Sequence, residues 1–241
     1  MNIALIGYGK MGQMIEEIAL QRGHQIVLTI NIDNLEDFNQ QNISKADVAI
    51  EFTGPDSAFE NVKKCFDFGV PVVCGSTGWN DKIEIAKQLC LEKNCSFLHA
   101  SNFSVGVNLF FEVNKFLAKM MDTHKEYNVS MREIHHTQKK DAPSGTAVTL
   151  AEQILENISR KTAWINEEHA AADQIAIASE RVDPAPGTHV VKYSSDIDDI
   201  EIIHTAHNRR GFALGAVLAA EHIRHKKGIF SMKDVLNIAS L

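Results

Sequence analysis

Short apolar runs alternate with segments of helical periodicity through the first hundred residues of this 241-residue chain. The first run, at residues 3–6, leads through a glycine turn into a helix-period segment, and further runs follow at residues 26–30, 48–52, 71–74 and 96–99. This alternation is typical of parallel strands joined by crossover helices, because such strands are buried on both faces. It predicts an α/β fold that begins with a doubly wound parallel sheet.

The second half of the chain has a different pattern. Longer, more polar strands of a sheet with one solvated face are predicted at residues 127–134, 174–179, 189–193 and 200–205. Between the first two, apolar residues recur at the spacing of one helix face: Ala147, Leu150, Ala151, Ile154, Leu155 and Ile158. Residues 212–241 also have helical periodicity, interrupted at Gly228. The sequence predicts one domain from residues 1–107 and 210–241, and an α+β domain with a mixed sheet at residues 108–209.

Composition narrows the function classes. Hydrophobic residues make up 44% of the chain, and 24 Lys and Arg against 31 Asp and Glu give a net charge of −7. That charge disfavours a broad nucleic-acid or membrane footprint, so neither partner is expected. The four cysteines show no C-x-x-C spacing, no metal site is expected, and neither a basic leader nor a run of 18 apolar residues is present. We expect a reduced, cytoplasmic protein.

A glycine loop lies between the first predicted strand and helix. Gly7, Gly9 and Gly12 form G-x-G-x-x-G, with Lys10 and Met11 inside the motif. Glycines there permit a tight turn and let backbone N–H groups approach a pyrophosphate at the start of a helix. A turn that only packs the helix on the strand is the alternative. In its strand–helix–strand context, the motif predicts a Rossmann-type domain that binds a dinucleotide.

Two residues just past the second predicted strand are candidates for holding the adenine ribose. Asp33 offers the expected acidic side chain, and Asn31 could take the same place. Asp33 could equally be a solvated loop residue. No Arg or Lys lies between Arg22 and Lys45, so no nearby cation is available to hold a 2′-phosphate. The expected cofactor is NADH or NADPH, with NADH favoured.

The densest group of reactive side chains lies in residues 133–147, E-I-H-H-T-Q-K-K-D-A-P-S-G-T-A, where a predicted strand ends and the predicted helix begins. The helix start at residues 144–146 would expose N–H groups, and a nearby lysine adds positive charge, which suits a substrate that carries carboxylates. One of His135 and His136 can act as a general acid while the other binds or orients. Either histidine alone could be a structural or solvent-exposed ring.

This stretch resembles the signature E-x-H-H-x-x-K-x-D-A-P-S-G-T-A of the 4-hydroxy-tetrahydrodipicolinate reductases. The similarity extends in order to A-D-V-A-I-E-F-T at residues 46–53, G-S-T-G at 75–78, S-N-F-S-V-G-V-N at 101–108 and F-A-L-G-A at 212–216. It implies an NAD(P)H-dependent reductase of a small cyclic dicarboxylate on the diaminopimelate route to lysine. In that reaction, hydride transfer to the ring and protonation by a histidine accompany the loss of water.

The resemblance also implies roles for individual residues. The nicotinamide and its ribose would be lined by loops that follow strands: Phe52, Thr53, Gly75, Ser76, Thr77, Ser101, Asn102 and Phe103. His135 would be the general acid, and Lys139 would bind the substrate and assist proton transfer. The substrate carboxylates would be bound by His136, Ser144, Gly145 and Thr146. Residues 108–209 would form a substrate-binding and oligomerisation domain, and four identical subunits would assemble.

Three features depart from the family pattern. The glycine loop is one residue tighter than the usual G-x-x-G-x-M-G, and the chain is short between its second and third predicted strands. Residues 181–189 also differ from the family's more glycine-rich R-x-G-x-x-x-G-x-H. The tighter glycine loop affects the expected contacts with the pyrophosphate. The change at residues 181–189 affects the expected contacts of the substrate-binding domain.

Two other functions are compatible with the same domain plan. Sugar dehydrogenases of this build usually carry Glu-Lys-Pro after a mid-sheet strand, whereas the only Glu-Lys here is followed by Asn94. A nicotinamide-sensing binding module would not need its proton donor, and the intact His135 and Lys139 argue against that function. Arg209 follows a predicted strand that the family places by the active site, and its role is left open.

Overall fold

The computed structural model describes residues 1–238. Contacts within the chain divide it into two compact units. The first unit contains Met1–Val105 and the segment that begins at Arg210, and the second is Gly106–Arg209. Within residues 1–238, no helix has both the length and the apolar character needed to cross a lipid bilayer.

The regular elements alternate along the first unit and are longer in the second. The strands in the described residues are β1 (Asn2–Ile6), β2 (Gln25–Ile30), β3 (Val48–Glu51), β4 (Val72–Cys74), β5 (Ser96–His99), β6 (Asn128–His135), β7 (Ala163–Ile165), β8 (Gln174–Arg181), β9 (Thr188–Ser194), β10 (Asp199–Thr205) and β11 (Gly228–Phe230). The helices are α1 (Lys10–Gln21), α2 (Gln40–Ile43), α3 (Pro55–Asp67), α4 (Ile83–Glu92), α5 (Val105–Met121), α6 (Gly145–Asn157), α7 (Arg210–Ile223) and α8 (Met232–Val235).

The first unit is built on a parallel sheet with the strand order β11-β5-β4-β3-β1-β2. Alternate residues of β1 point to opposite faces of this sheet. Ala4 and Ile6 share a core with α3 and α4, whereas Ile3 and Leu5 share a core with α1 and α7. Burial on both faces explains the continuous apolar runs, and it confirms the predicted doubly wound, Rossmann-type sheet.

The second unit is built on a mixed sheet with the strand order β10-β9-β6-β8-β7. The central strand β6 pairs antiparallel with β9 and parallel with β8. One face of the sheet packs with α5 and α6 in a core that includes Leu117, Leu150, Ile154 and Val191. The predicted mixed sheet is confirmed, and its four predicted strands correspond to β6, β8, β9 and β10.

Two strands have no counterpart among the predictions. β7 and β11 contain three residues each, which is too short for an alternating pattern to emerge. β11 lies within the segment 212–241 that was predicted as helix, and it forms by pairing with β5 at the edge of the parallel sheet. Tertiary pairing therefore overrides local periodicity there. The last three residues of that predicted segment lie outside the described residues.

Candidate active site

The glycine loop between β1 and α1 holds the backbone close to neighbouring strands. Gly7 has φ +95, and a Cβ atom at this position would overlap the carbonyl oxygen of Phe52. A Cβ atom on Gly12 would in turn overlap the carbonyl oxygen of Gly7. At Gly9, which precedes the first turn of α1, no atom lies within 4 Å of a built Cβ and no side chain caps the helix. The loop thus leaves open space at a helix N-terminus, which suits a phosphate group.

In the first unit, a cleft of about 470 Å³ extends from this loop to the ends of the adjacent strands. Gly7, Gly9, Phe52 and Thr53 line it, together with Asn31 just past β2. Of the other predicted residues of the loop, Lys10 and Met11 lie in the first turn of α1. None of the side chains that line the cleft is a lysine or an arginine.

Asn31 and Asp33, the two candidates for the ribose, take different positions. Asn31 lines the cleft, and its N–H donates to Oδ1 of Asn34 at 2.7 Å. Asp33 lies in the 3₁₀ helix Ile32–Asp37, where its side chain is exposed and does not line the cleft. Of the two candidates, Asn31 is therefore the one whose position borders the cleft.

Several predicted nicotinamide residues gather where β3, β4 and β5 end. The ring of Phe52 packs on the ring of Phe103 with a centroid separation of 5.6 Å, and a Cβ atom on Gly75 would overlap Phe52. The N–H of Thr53 donates to Oγ of Ser76 at 2.9 Å. Carboxyl ends of parallel strands are the usual ligand-binding edge of a doubly wound sheet. These five residues form one connected group of contacts at that edge.

The remaining predicted residues at this edge lie in the same loops. Thr77 and Ser101 are exposed, and Oδ1 of Asn102 accepts a hydrogen bond from the N–H of Ser104 at 2.9 Å. Asn102 thus holds its own loop in shape.

Sequence reasoning missed a buried carboxylate beneath the loop after β3. Glu51 is fully buried, accepts hydrogen bonds from the N–H of Thr53 at 3.0 Å and from the Thr53 hydroxyl, and also accepts from the thiol of Cys74 at 2.9 Å. Burial, and next the charge of Glu51, raise the pKa of Cys74 far above the usual range of a thiol. Cys74 therefore stays protonated and serves as a donor. Glu51 sits inside an apolar run, which gave no sign of this role.

In the second unit, the strand β6 presents two polar side chains to the buried face. Its burial alternates, so Glu133 and His135 point to the same side as Met131. The sheet register places Arg181 of β8 beside His135 and places His189 of β9 beside Glu133. Three neighbouring strands thereby bring four titratable side chains to one place.

Glu133 is the centre of this group. Its carboxylate is fully buried, lies 3.0 Å from a guanidinium nitrogen of Arg181, and accepts from the N–H of Ser144 with both oxygens at 3.1 Å. Nδ1 of His135 lies 3.3 Å from Oε2, at ion-pair distance but with a direction that misses hydrogen-bond geometry. Burial alone would raise the pKa of Glu133, but the contacts with His135, Ser144 and Arg181 outweigh burial and hold the pKa well below its usual range. Glu133 is therefore ionised.

Ser144 connects this group to the start of α6. Its Oγ accepts from the N–H of Ala147 at 3.2 Å, which makes Ser144 the N-cap of the helix, and lies 3.1 Å from Nε2 of His189. Burial, and next the charge of His135, lower the pKa of His189 to about 4. His189 is therefore neutral near pH 7, so the group does not hold two adjacent imidazolium ions.

The other predicted substrate residues surround the same helix start. Gly145 is exposed with no atom within 4 Å of a built Cβ, and Thr146 is half-buried in the same turn. The ammonium of Lys139 lies 2.8 Å from both oxygens of Asp141, and His136 is half-buried just after β6. A substrate carboxylate would therefore compete with Asp141 for Lys139.

Arg209 is exposed in the loop after β10, so the structure does not bring it into the buried group.

Glu133, His135 and His189 also have the spacing of metal ligands, since one ligand atom from each lies within 4.8 Å of the others. The carboxylate is already engaged by the guanidinium of Arg181 and by the N–H of Ser144. A second cation would have to displace or neighbour that guanidinium at short range, which costs electrostatic energy. The carboxylate is thus already neutralised by a protein cation, which disfavours a metal centre at these three residues.

Sequence reasoning gave no role to Glu133, Arg181 or His189. Glu133 stood at the first position of the resembling motif, and the other two stood at the ends of the segment 181–189 that was noted only for its glycine content. The useful signal was alternation: residues two apart on one strand share a face, so Glu133 had to lie beside His135.

Family models of dihydrodipicolinate reductase match residues 1–103 with the N-terminal part and residues 106–236 with the C-terminal part. The chain belongs to the dihydrodipicolinate reductase family. A 4-hydroxy-tetrahydrodipicolinate reductase of Christiangramia forsetii is 52% identical over 98% of both chains. Another from Methanosarcina barkeri is 34% identical and aligns with 98% of this chain and 99% of the relative.

Solved structures agree with this membership at the level of the fold. A dipicolinate-bound dihydrodipicolinate reductase from Paenisporosarcina sp. TG-14 superposes with a TM-score of 0.79 at 23% identity and covers 99% of both chains. An amine dehydrogenase from Mycobacterium smegmatis has a TM-score of 0.63 at 10% identity, with 97% of this chain and 95% of that chain covered. The resemblance stated from the sequence is confirmed: this dihydrodipicolinate reductase family member is a nicotinamide-dependent oxidoreductase.

Proposed function

We propose that the chain reduces 4-hydroxy-tetrahydrodipicolinate to tetrahydrodipicolinate, with loss of water, on the diaminopimelate route to lysine. One observation carries this proposal: the buried carboxylate of Glu133 contacts both His135 and the N-cap residue of α6. A proton donor and an anion-binding helix start are therefore held together, which is what reduction of a dicarboxylate ring requires. The amine dehydrogenase shares only the fold and supports no competing substrate.

His135 is the proton donor in this proposal. Its ring is buried except for a small fraction of its surface, and Nε2 lies toward Gly187. Lys139 provides a second positive charge that binds the substrate and assists the proton transfer. The carboxylates of the substrate are bound by His136 and by the first turn of α6, through Ser144, Gly145 and Thr146.

The first unit fits a reduced nicotinamide dinucleotide, which supplies the hydride when bound. Gly7 and Gly12 keep the loop before α1 close to β3, and the space at Gly9 is open for a pyrophosphate. Phe52 and Gly75 offer an apolar surface for the nicotinamide ring, and the buried ring of Phe103 packs against Phe52. NADH is favoured over NADPH because no lysine or arginine lines the cleft where Asn31 lies.

We further propose that four copies assemble and that the enzyme works in the cytoplasm. An apolar stripe on α5 supports assembly, since Leu109, Val113, Phe116 and Met120 lie on one helix face and each is about half exposed. The edge strand β10 is also exposed. The four cysteines are free and buried, which fits a reducing compartment.

The test is steady-state oxidation of NADH and of NADPH with enzymatically generated 4-hydroxy-tetrahydrodipicolinate. We expect turnover with both cofactors and a higher kcat/KM with NADH. Binding of either cofactor without turnover would overturn the proposed reaction, and a higher kcat/KM with NADPH would overturn the cofactor preference alone.

A further inference from the structure

Glu133 differs from the other carboxylates near the site because every contact it makes joins it to a different part of the site. It contacts His135 on its own strand, Arg181 on the neighbouring strand and the N-cap residue Ser144 of α6. It is also fully buried. A residue of this kind favours fixed relative positions of the groups it joins, since moving any one of them would take a partner away from a buried charge.

The contact with His135 decides which ring nitrogen carries the mobile proton. An ionised carboxylate can only accept hydrogen bonds, so the ring nitrogen facing it is favoured in its protonated form. That nitrogen is Nδ1, at 3.3 Å from Glu133. In the neutral ring Nε2 is then the nitrogen without a proton, and Nε2 is the atom that gains and releases one.

The surroundings of Nε2 are consistent with proton donation. A Cβ atom built on Gly187 would lie 3.0 Å from Nε2, so the glycine leaves space beside that nitrogen. Nδ1, in contrast, is buried. The ring therefore has one side held by Glu133 and one side next to a backbone that carries no side chain.

Charged and titratable groups reach this ring from several elements. Arg181 on β8 forms an ion pair with Glu133, and His189 on β9 is neutral near pH 7 with its ring centroid 5.1 Å from that of His135. Lys139 and Asp141 in the loop before α6 pair with each other, and His204 on β10 lies opposite His189 in the sheet register. Among these described groups, Glu133 is the carboxylate in ion-pair contact with His135.

We propose that Glu133 is the positioning residue of this site: it keeps Nδ1 of His135 protonated, makes Nε2 the donating atom, and fixes the ring relative to the first turn of α6. The assignment rests on the proposed function, because it gives proton transfer to His135. Arg181 stabilises Glu133 in its ionised form. Ser144, which caps α6 and donates its N–H to Glu133, links Glu133 to the start of that helix.

The experiment compares Glu133→Gln, which keeps the shape and removes the charge, with Glu133→Asp, which keeps the charge. We expect Glu133→Gln to lower kcat by roughly 10- to 100-fold, a part of the 10²–10⁴ that a general acid contributes, with little change in KM for NADH. The pH at which kcat declines should move to lower values, because the protonated ring loses its carboxylate. Glu133→Asp should recover part of kcat and of the pH profile.

Glu180→Gln is the matched control. Glu180 lies on β8 and pairs with Arg132 on the exposed face, so this change removes a charge without touching His135. We expect it to keep the kcat and the pH profile of the wild type. An unchanged pH profile in Glu133→Gln would overturn the proposal.

Nitrogen NMR of the histidine rings provides a second measurement that does not need turnover. The His135 signals, assigned with His135→Gln, should show a proton on Nδ1 in the wild type and a mixture of tautomers in Glu133→Gln. A proton on Nε2 in the neutral wild-type ring would overturn the proposal even if Glu133→Gln fails to fold. Failure of the wild type to reduce the substrate would overturn the proposed function, while the NMR result would still decide the pairing of Glu133 with His135.

Discussion

Gly187 lies beside the ring of His135. It has φ +155, a conformation that other residues rarely adopt, and its missing side chain leaves room for Nε2. We predict that Gly187→Ala lowers kcat about tenfold or more through displacement of the ring, and lowers the free energy of unfolding by roughly 1–3 kcal/mol through backbone strain. Steady-state kinetics and urea unfolding measure the two effects. Ala185→Gly in the same loop is the control, and a Gly187→Ala enzyme with wild-type kcat would contradict the prediction.

His189 links stability to pH. Its pKa is 6.5 in a model peptide and about 4 in the folded protein, mainly because of burial. As the pH falls from 6.5 towards 4, the unfolded chain binds a proton that the folded protein excludes, so the free energy of unfolding falls. We predict that the free energy of unfolding falls by up to roughly 3 kcal/mol between pH 6.5 and pH 4. Above pH 6.5, the contribution of His189 to stability is fully present.

His189→Gln should show a shallower dependence of the unfolding free energy on pH between 4 and 6.5, because glutamine does not titrate. Urea unfolding at a series of pH values measures the slopes. His169→Gln removes an exposed histidine and should keep the slope of the wild type. Equal slopes for the wild type and His189→Gln would contradict the assigned origin of the pH dependence.

At the residue scale, the sequence revealed the side chains that stand in recognisable motifs and missed those that act through the sheet register. His135 and Ser144 were identified as candidates because they stand at the end of a strand and the start of a helix. Arg181 and His189 became neighbours of Glu133 only when β8 and β9 paired with β6. A single sequence contains no direct record of such pairing, since register depends on the whole sheet.

The segment after β2 lines the cleft and is the place to test the proposed cofactor preference. Asn31 and Ile32 line the cleft there, and Ile32 is 80% exposed. We predict that Ile32→Arg raises kcat/KM for NADPH about tenfold, because a guanidinium at the rim can bind a 2′-phosphate in two hydrogen bonds. Ile32→Gln is the control without charge. An unchanged KM for NADPH would show that the ribose lies away from this segment.

At the scale of elements, a helix with strong apolar periodicity was predicted correctly, whereas a short strand that forms by pairing with a distant strand was not. The helix predicted from Ala147 to Ile158 corresponds to α6, which starts at Gly145 because Ser144 caps it. The three residues of β11 were instead predicted as part of a helix, because their pairing partner β5 is more than a hundred residues earlier in the sequence. Local patterns carry no information about so distant a partner.

The second unit carries several exposed large apolar side chains. The stripe on α5 is exposed there, and so are Ile200 and Ile203, which lie on opposite faces of the edge strand β10. An edge strand with unpaired backbone groups and isoleucine side chains is a template for association unless another chain covers it. Net charge of −7 opposes non-specific aggregation, so a defined assembly of identical chains is the expected outcome.

We predict that light scattering gives a mass four times that of the 26.8 kDa chain, and that Phe116→Glu and Ile203→Glu each reduce it. A glutamate buried in an apolar interface would lose its hydration without gaining a partner, so the subunits would dissociate. Leu91→Glu is the matched control, because Leu91 is 61% exposed on α4 of the first unit and should leave the mass unchanged. A monomeric wild type would contradict assembly altogether. A tetramer that both glutamate variants preserve would place the interface on another surface, and the exposed stripe on α5 would then need a different explanation.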